Sequence, residues 1–201
     1  MKIKGLLRPS GRAELVVIGG PNGAGKTTAA ERLLPEGLNI REFVDADAIA
    51  RGLSPFNPAG ASIAAGRVML QRIRDLARSG DNFAFETTCS GRGHLRLLRH
   101  CRDLGYGLTL LFLWVPSVEI AIARVAQRAA MGGHSIPADV ITRRYNAGLR
   151  NMRHLYLPAV DTCSIYDNSG AAPVLIAEQK PGGHLTVHYP SHWAMIEQAT
   201  R

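Results

Sequence analysis

Residues 20–27 read Gly20-Pro21-Asn22-Gly23-Ala24-Gly25-Lys26-Thr27, which fits the spacing G-x-x-x-x-G-K-[ST]. Glycines at these positions let backbone N–H groups close around phosphate oxygens, and a helix that begins at the lysine adds the positive end of its dipole. Lys26 would reach the β- and γ-phosphates of a nucleoside triphosphate, while Thr27, followed by Thr28, would offer a hydroxyl to Mg²⁺. ATP and Mg²⁺ are therefore the expected ligands of residues 20–28.

Moving a phosphoryl group to an alcohol also needs a carboxylate that accepts or orients the proton of the attacking hydroxyl. Asp45 and Asp47 follow the short apolar stretch 42–44 and are the candidates. In extended backbone, residues two apart face the same side, so both can enter one cleft unless the chain turns into a short helix at 47–50. Asp47 is then an alternative N-cap for that helix. Glu86 ends the apolar stretch 83–85 and is costly to bury there without a partner. A substrate hydroxyl, Mg²⁺ or an arginine would satisfy it, as would a structural ion pair, and Thr87 and Thr88 add hydroxyls beside it.

Cationic candidates come later in the chain. A helix over 117–131 places Val118, Ile122, Val125 and Ala129 on one face, and Arg124, Gln127 and Arg128 on another. Two guanidiniums four residues apart can reach one polyphosphate, or can lie on a solvated face. Gly132-Gly133-His134-Ser135-Ile136-Pro137 reads as the hinge of a small lid, with Ser135 as N-cap and Pro137 in the first turn of the next helix. In that helix Tyr145, Leu149, Met152 and Tyr156 form an apolar stripe, while Arg143, Asn146, Arg150 and Arg153 lie elsewhere. Arg143 is nearest the lid and is the candidate for a phosphate contact.

The elements that must position these groups follow from periodicity. Apolar runs at 15–18, 42–44, 83–85, 108–114 and 163–166 read as short strands. They alternate with helices over 26–34, 61–78 and 93–103, the second carrying Ile63, Gly66, Leu70, Ile73 and Ala77 at helical spacing and stopping at Gly80. Alternation of this kind implies an α/β fold with a mainly parallel sheet, in which ligands bind beyond the carboxyl ends of the strands. That edge would collect the glycine-rich turn, Asp47 and Glu86. The stretches 174–177 and 185–187, around a turn at 180–183, read as one or two added strands.

Composition narrows the class. The chain has 201 residues, 46% of them hydrophobic and 20% charged, as expected of one globular unit spanning 1–201 rather than a disordered or fibrous chain. A net charge of +8 draws anions, whether nucleotide, nucleic acid or an acidic partner. Nucleic acid is the less favoured of these readings. Three cysteines, odd in number and without metal spacing, fit a reducing cytoplasm. The apolar part of MKIKGLLRPSGR is too short for a signal core or a membrane span. His184, His188 and His192 are four apart, yet Pro190 and the preceding Gly-Gly argue against one helix presenting them to a metal.

Residues 20–28, Asp45-Ala46-Asp47, Glu86-Thr87-Thr88, the stretch 124–128, the lid sequence with Arg143-Arg144-Tyr145, and Tyr166-Asp167-Asn168-Ser169-Gly170 together resemble the zeta toxin family of P-loop kinases, in particular a compact bacterial branch. The family's best-known members phosphorylate the sugar of UDP-N-acetylglucosamine. The resemblance implies a P-loop NTPase three-layer sandwich, kinase-like, with a small lid. It assigns Lys26 to the phosphates, Asp47 as catalytic base, Arg124 to the γ-phosphate, and Glu86 and Thr88 to the acceptor side; Arg128 and Asn168 are further candidates for the nucleotide, and Asp45 and Arg143 for the acceptor. It also implies a separate antitoxin protein as partner. A lid arginine of larger family members falls at about His134, leaving Arg128 or Arg143 to replace it. Two other functions fit the same residues: a nucleoside, nucleotide or RNA-end kinase, and a nucleotide-dependent switch or assembly ATPase with no phosphorylated acceptor.

Overall fold

Unbroken apolar runs cannot form one-faced strands; they require cover on both sides of a sheet. In the computed structural model, which describes residues 11–133 and 135–201, they receive it. The expectation about export signals in the opening stretch and the comparison of His134 with a lid arginine lie outside the described residues. In strand β1 (Glu14–Gly19), Leu15 and Val17 enter one core. Val16 and Ile18 enter another, with Ala30, Leu34 and Ile40. The period of two along the strand thus feeds a layer on each face.

The other strands are β2 (Glu42–Val44), β3 (Phe83–Thr87), β4 (Gly107–Trp114), β5 (Thr162–Asp167), β6 (Val174–Gln179) and β7 (Leu185–Val187). They form one sheet in the order β2-β3-β1-β4-β5-β6-β7. The pairs from β2 to β5 are parallel, and the tail adds β6 and β7 as antiparallel strands. The chain leaves β1 toward one edge and later returns to its other side as β4, so the crevice opens beyond the carboxyl end of β1. This is a mainly parallel α/β sandwich, as the alternation of elements predicted.

Seven helices surround the described sheet: α1 (Lys26–Gly37), α2 (Ala46–Leu53), α3 (Ser62–Ser79), α4 (Gly93–Asp103), α5 (Val118–Ala130), α6 (Ala138–Asn151) and α7 (Pro190–Ala199). The buried face of α3 is Ala65, Met69, Ile73, Leu76 and Ala77. Ile63, expected on that face, is 74% exposed, because α3 is rotated by about one residue from the predicted stripe. Gly80 ends α3 in the left-handed region at φ 74°, where the lack of a Cβ matters. Helix α6 runs into a π-helical stretch, Met152–Tyr156, and Tyr145, Leu149, Met152 and Tyr156 are all buried as expected. Helix α7 was not anticipated. Pro190, read as a breaker, instead occupies its first turn, where a missing N–H costs nothing. Among the described residues no helix is long and apolar enough to cross a membrane.

Candidate functional site

The turn after β1 is shaped by close backbone approach. Gly20 has φ +145°, and a Cβ there would overlap the Leu113 carbonyl oxygen at the end of β4. A Cβ on Gly23 would lie 2.7 Å from the Ala121 carbonyl oxygen of α5. Gly25, at φ 82°, is the residue before α1 and has no side chain to cap it, so the first N–H groups of α1 are left for a ligand. The loop is thus clamped between β4 and α5, and only glycine fits the tight points.

Lys26, although buried, folds back so that Nζ donates to the Pro21 carbonyl at 3.0 Å. It also lies 3.5 Å from Glu86 Oε1. Thr27 Oγ1 donates to Glu86 Oε2 at 2.8 Å. The carboxylate at the end of β3 therefore sits against the phosphate loop itself, meeting its lysine and threonine rather than an arginine. A hard set of oxygens, the Thr27 hydroxyl and the Glu86 carboxylate, is of the kind that suits Mg²⁺. Asn168 Nδ2 donates to the Ala24 carbonyl at 2.7 Å. Arg124 reaches the same strand end: Nη1 donates to the Asn168 carbonyl at 2.8 Å and Nη2 to that of Ser169 at 2.7 Å. Arg124 and Asn168 together tie the loop after β5 to the phosphate loop. Arg128, one turn on, is exposed and packs at Gly133, whose Cβ would stand 2.7 Å from Arg128 Cγ.

On the acidic side, the chain does turn directly after β2. Helix α2 starts at Ala46, and its N-cap is Asp45, whose Oδ1 accepts from the Asp47 N–H at 2.9 Å. The alternative of Asp47 as N-cap of a helix at 47–50 is corrected: Asp45 caps, because its extended backbone precedes the first helical residue. Asp47 then stands in the first turn of α2, and the two carboxylates are not side by side as in a strand. Burial, reinforced by the nearby charge of Glu86, raises the Asp45 carboxyl above its ordinary range. Asp45 thus feels the charge of both neighbouring carboxylates, Glu86 and Asp47, each of which disfavours its ionised form.

The lid side departs further from expectation. Ser135 does not cap α6; Pro137 occupies the cap position, and no side chain bonds there. Arg143 is exposed, whereas Arg144 is half-buried and lines a pocket of about 110 Å³ with Asp47, Arg51, Ser62 and Ile136. Arg51 was not singled out from sequence, and Arg144 was named only as part of the motif Arg143-Arg144-Tyr145, without a role. Arg51 carried a usable signal, since it stands four residues after Asp47 and so shares its helix face. Arg144 became visible only once Tyr145 was anchored by its hydroxyl on the Val115 carbonyl at 2.7 Å. Thr88 spends its hydroxyl on Ser90, 2.8 Å away.

The loop after β3 is held from behind. Asn151 Nδ2, buried, donates to the Cys89 and Ser90 carbonyls at 2.9 and 3.0 Å, and the Tyr156 hydroxyl donates to the Gly91 carbonyl at 3.0 Å. A Cβ on Gly148 would come within 2.5 Å of the Thr88 carbonyl oxygen. The π-helical widening after α6 brings Tyr156 to this loop, a use such distortions often serve near functional sites. Cys89, with φ 57°, is buried, and burial pushes its thiol up to about 12, so it is not a nucleophile.

Comparison with known proteins places this geometry in context. A family model described as an AAA domain matches residues 15–155. A protein of uncharacterised function from Haemophilus influenzae (strain ATCC 51907 / DSM 11121 / KW20 / Rd) is 31% identical over 126 residues, which are 63% of this chain and 88% of that protein. Among solved structures, a chain of the AvrRxo1-ORF1:-ORF2 complex with ATP aligns with a TM-score of 0.73 and 17% identity, covering 94% of this chain and 64% of that one. This chain therefore spans less than two thirds of that neighbour's length. A chain of the PezAT chromosomal toxin–antitoxin system of Streptococcus pneumoniae aligns with a TM-score of 0.61 and 14% identity, covering 98% of this chain and 89% of that one. At such identities these likenesses concern the fold.

Proposed function

This chain belongs to the AAA-domain family, and on that premise we propose that it is a P-loop kinase, one unit over residues 1–201, that moves the γ-phosphate of ATP to a hydroxyl of a small acceptor. The observation that carries this reading is the phosphate loop with Lys26 and Thr27 set against the Glu86 carboxylate, whose charge is felt by Asp45 at the head of the helix that carries Asp47 into a pocket. The acceptor implied by the zeta toxin resemblance is a nucleotide-linked sugar such as UDP-N-acetylglucosamine.

In this reading the backbone N–H groups of residues 20–28 and the Lys26 ammonium hold the triphosphate. Lys26 exchanges the Pro21 carbonyl for phosphate oxygen, a stronger partner because both are charged. Thr27, with Glu86 behind it, would hold Mg²⁺, which neutralises phosphate charge when bound. Asp47 accepts the proton of the acceptor hydroxyl as its oxygen forms a bond to the γ-phosphorus, and the bond from that phosphorus to the β–γ bridging oxygen breaks to release ADP. Arg124 reaches the γ-phosphoryl oxygens if it releases the carbonyls of Asn168 and Ser169. Asn168 braces the loop through Ala24, and Arg128 and Arg143 flank the lid.

A second reading draws on Glu86. Standing beside both Lys26 and Thr27, it is also placed to orient a water, as in a nucleotide-dependent switch that phosphorylates nothing. A separate antitoxin is the protein partner that the resemblance implies. Incubation with labelled ATP and a panel of hydroxylated metabolites, followed by mass identification of the product, separates these readings. A phosphorylated acceptor is expected, and Asp47→Asn should lower its formation by about 10²-fold or more while ATP still binds. Release of free phosphate with no labelled acceptor would leave the switch in place of the kinase.

A further inference from the structure

Asp47 does not stand alone at the mouth of the site. The pocket it lines is walled by α2 and α3 on one side and by Ile136 of the lid and Arg144 of α6 on the other. Its charged lining residues are Asp47, Arg51 and Arg144, so cations outnumber carboxylates. Asp47 and Arg51 lie four apart on one helix, a spacing at which an acid and a base commonly pair. Among the described residues they form no ion pair, and Arg144, half-buried, likewise has neither a hydrogen bond nor an ion pair. A guanidinium withdrawn from water without a partner is costly, and a ligand anion would supply that partner.

The backbone adds to the same field. Ser62, which lines the pocket, is the first residue of α3. That helix has no side-chain cap at its N-terminus and no acidic residue in its first turn. The positive end of an 18-residue helix is therefore left uncompensated beside two arginines.

We infer that this pocket is an anion subsite for the acceptor, in which Arg51 and Arg144 grip a phosphate or carboxylate group while Asp47 faces the hydroxyl that reacts. The inference rests on the phosphotransfer reading above and narrows it: the acceptor is a hydroxyl compound that carries an anionic group, and a neutral sugar or polyol is excluded. A guanidinium presents two parallel donors that match either anion. The volume, about 110 Å³, suits a single anionic group with a few attached carbons. Arg51 and Arg144 are thus specificity residues, set in one pocket with Asp47.

The test keeps the phosphate loop filled, so that it cannot compete for the probe. Protein saturated with AMP-PNP and Mg²⁺ is titrated, by NMR, with glycerol 3-phosphate, glycerate and glycerol. One or both anions should shift resonances of α2 and α6, and glycerol should not; which anion binds more tightly tells phosphate from carboxylate recognition. The Arg51→Gln/Arg144→Gln pair should weaken anion binding by about tenfold or more, with AMP-PNP affinity and melting temperature unchanged. Glycerol binding as tightly as the anions, or anion binding undiminished in the double variant, would overturn the subsite. The labelled-ATP panel separates its fate from that of the kinase reading. Transfer to a neutral acceptor would remove the subsite and leave the kinase, whereas anion binding without transfer to any acceptor would do the reverse.

Discussion

The phosphate loop and the pocket that holds Asp47 differ in how their polar side chains are spent. Around the loop, Lys26 has Pro21 and Glu86, Thr27 has Glu86, Asn168 has Ala24, and Arg124 has two carbonyls. In the pocket, the side chains of Asp47, Arg51 and Arg144 have no hydrogen-bond or ion-pair partner among the described residues. The first region is stabilised before any ligand arrives, and its shape follows from backbone packed against backbone, as at Gly20 and Gly23. The second holds its charges open at the ends of long side chains. A nucleotide common to many proteins can be met by a rigid mould, whereas selectivity for one acceptor can rest on a few groups that exchange without disturbing the fold.

The largest test of that contrast strikes the mould. Gly20→Ala forces a Cβ onto the Leu113 carbonyl at a φ that L-residues rarely adopt. ATP binding measured by calorimetry should fall by about 100-fold or more, because loop and β4 cannot both keep their places. Retention of wild-type affinity would mean that the loop is more plastic than its contacts indicate. The Asp47→Asn and Arg51→Gln/Arg144→Gln variants supply the opposite arm, with ATP binding kept and acceptor chemistry or acceptor affinity lost.

A middle-sized effect is expected behind the site. Asn151→Ala leaves the buried Cys89 and Ser90 carbonyls without their donor, which should cost about 2 kcal/mol of stability in a denaturant titration. Equal stability of variant and parent would mean that water or another donor takes its place.

The smallest effect concerns Asp45. Its carboxyl is raised by burial and by Glu86, so folding disfavours the ionised form. A raised carboxylate contributes stability only below its ordinary titration range and loses it as pH rises through the folded value. At pH 7 the ionised Asp45 therefore weakens the fold, although its Oδ1 caps α2. Asp45→Asn keeps an acceptor for the Asp47 N–H and removes the buried charge. Its melting temperature should exceed that of the parent by about 2 °C at pH 7, and the advantage should vanish once acid protonates Asp45 in both states. An advantage that grew toward acid pH would reverse this assignment.

Much of this molecule was legible in the residues alone. The loop 20–28, the strands of the parallel core and the buried stripe of α6 depend on neighbours within a few positions, and their patterns are local. The C-terminal helix was not anticipated because Pro190 has two meanings, breaker and helix start, that only the following packed residues Trp193 and Ile196 distinguish. The rotation of α3, which turns Ile63 outward, depends on what the sheet offers it.

The amino-acid sequence by itself determined that a phosphate-binding turn would follow a buried strand, since glycine conformations and a lysine at the head of a helix are properties of contiguous chain. Tertiary structure alone decided that Arg144 rather than Arg143 enters the pocket with Asp47, that Glu86 meets Lys26 and Thr27, and that Asn168 reaches back to Ala24. Those pairings join segments far apart in the chain. They depend on how each helix is turned about its axis when its apolar face seats on the sheet, a choice made by the summed packing of the core and not by any one stretch of residues.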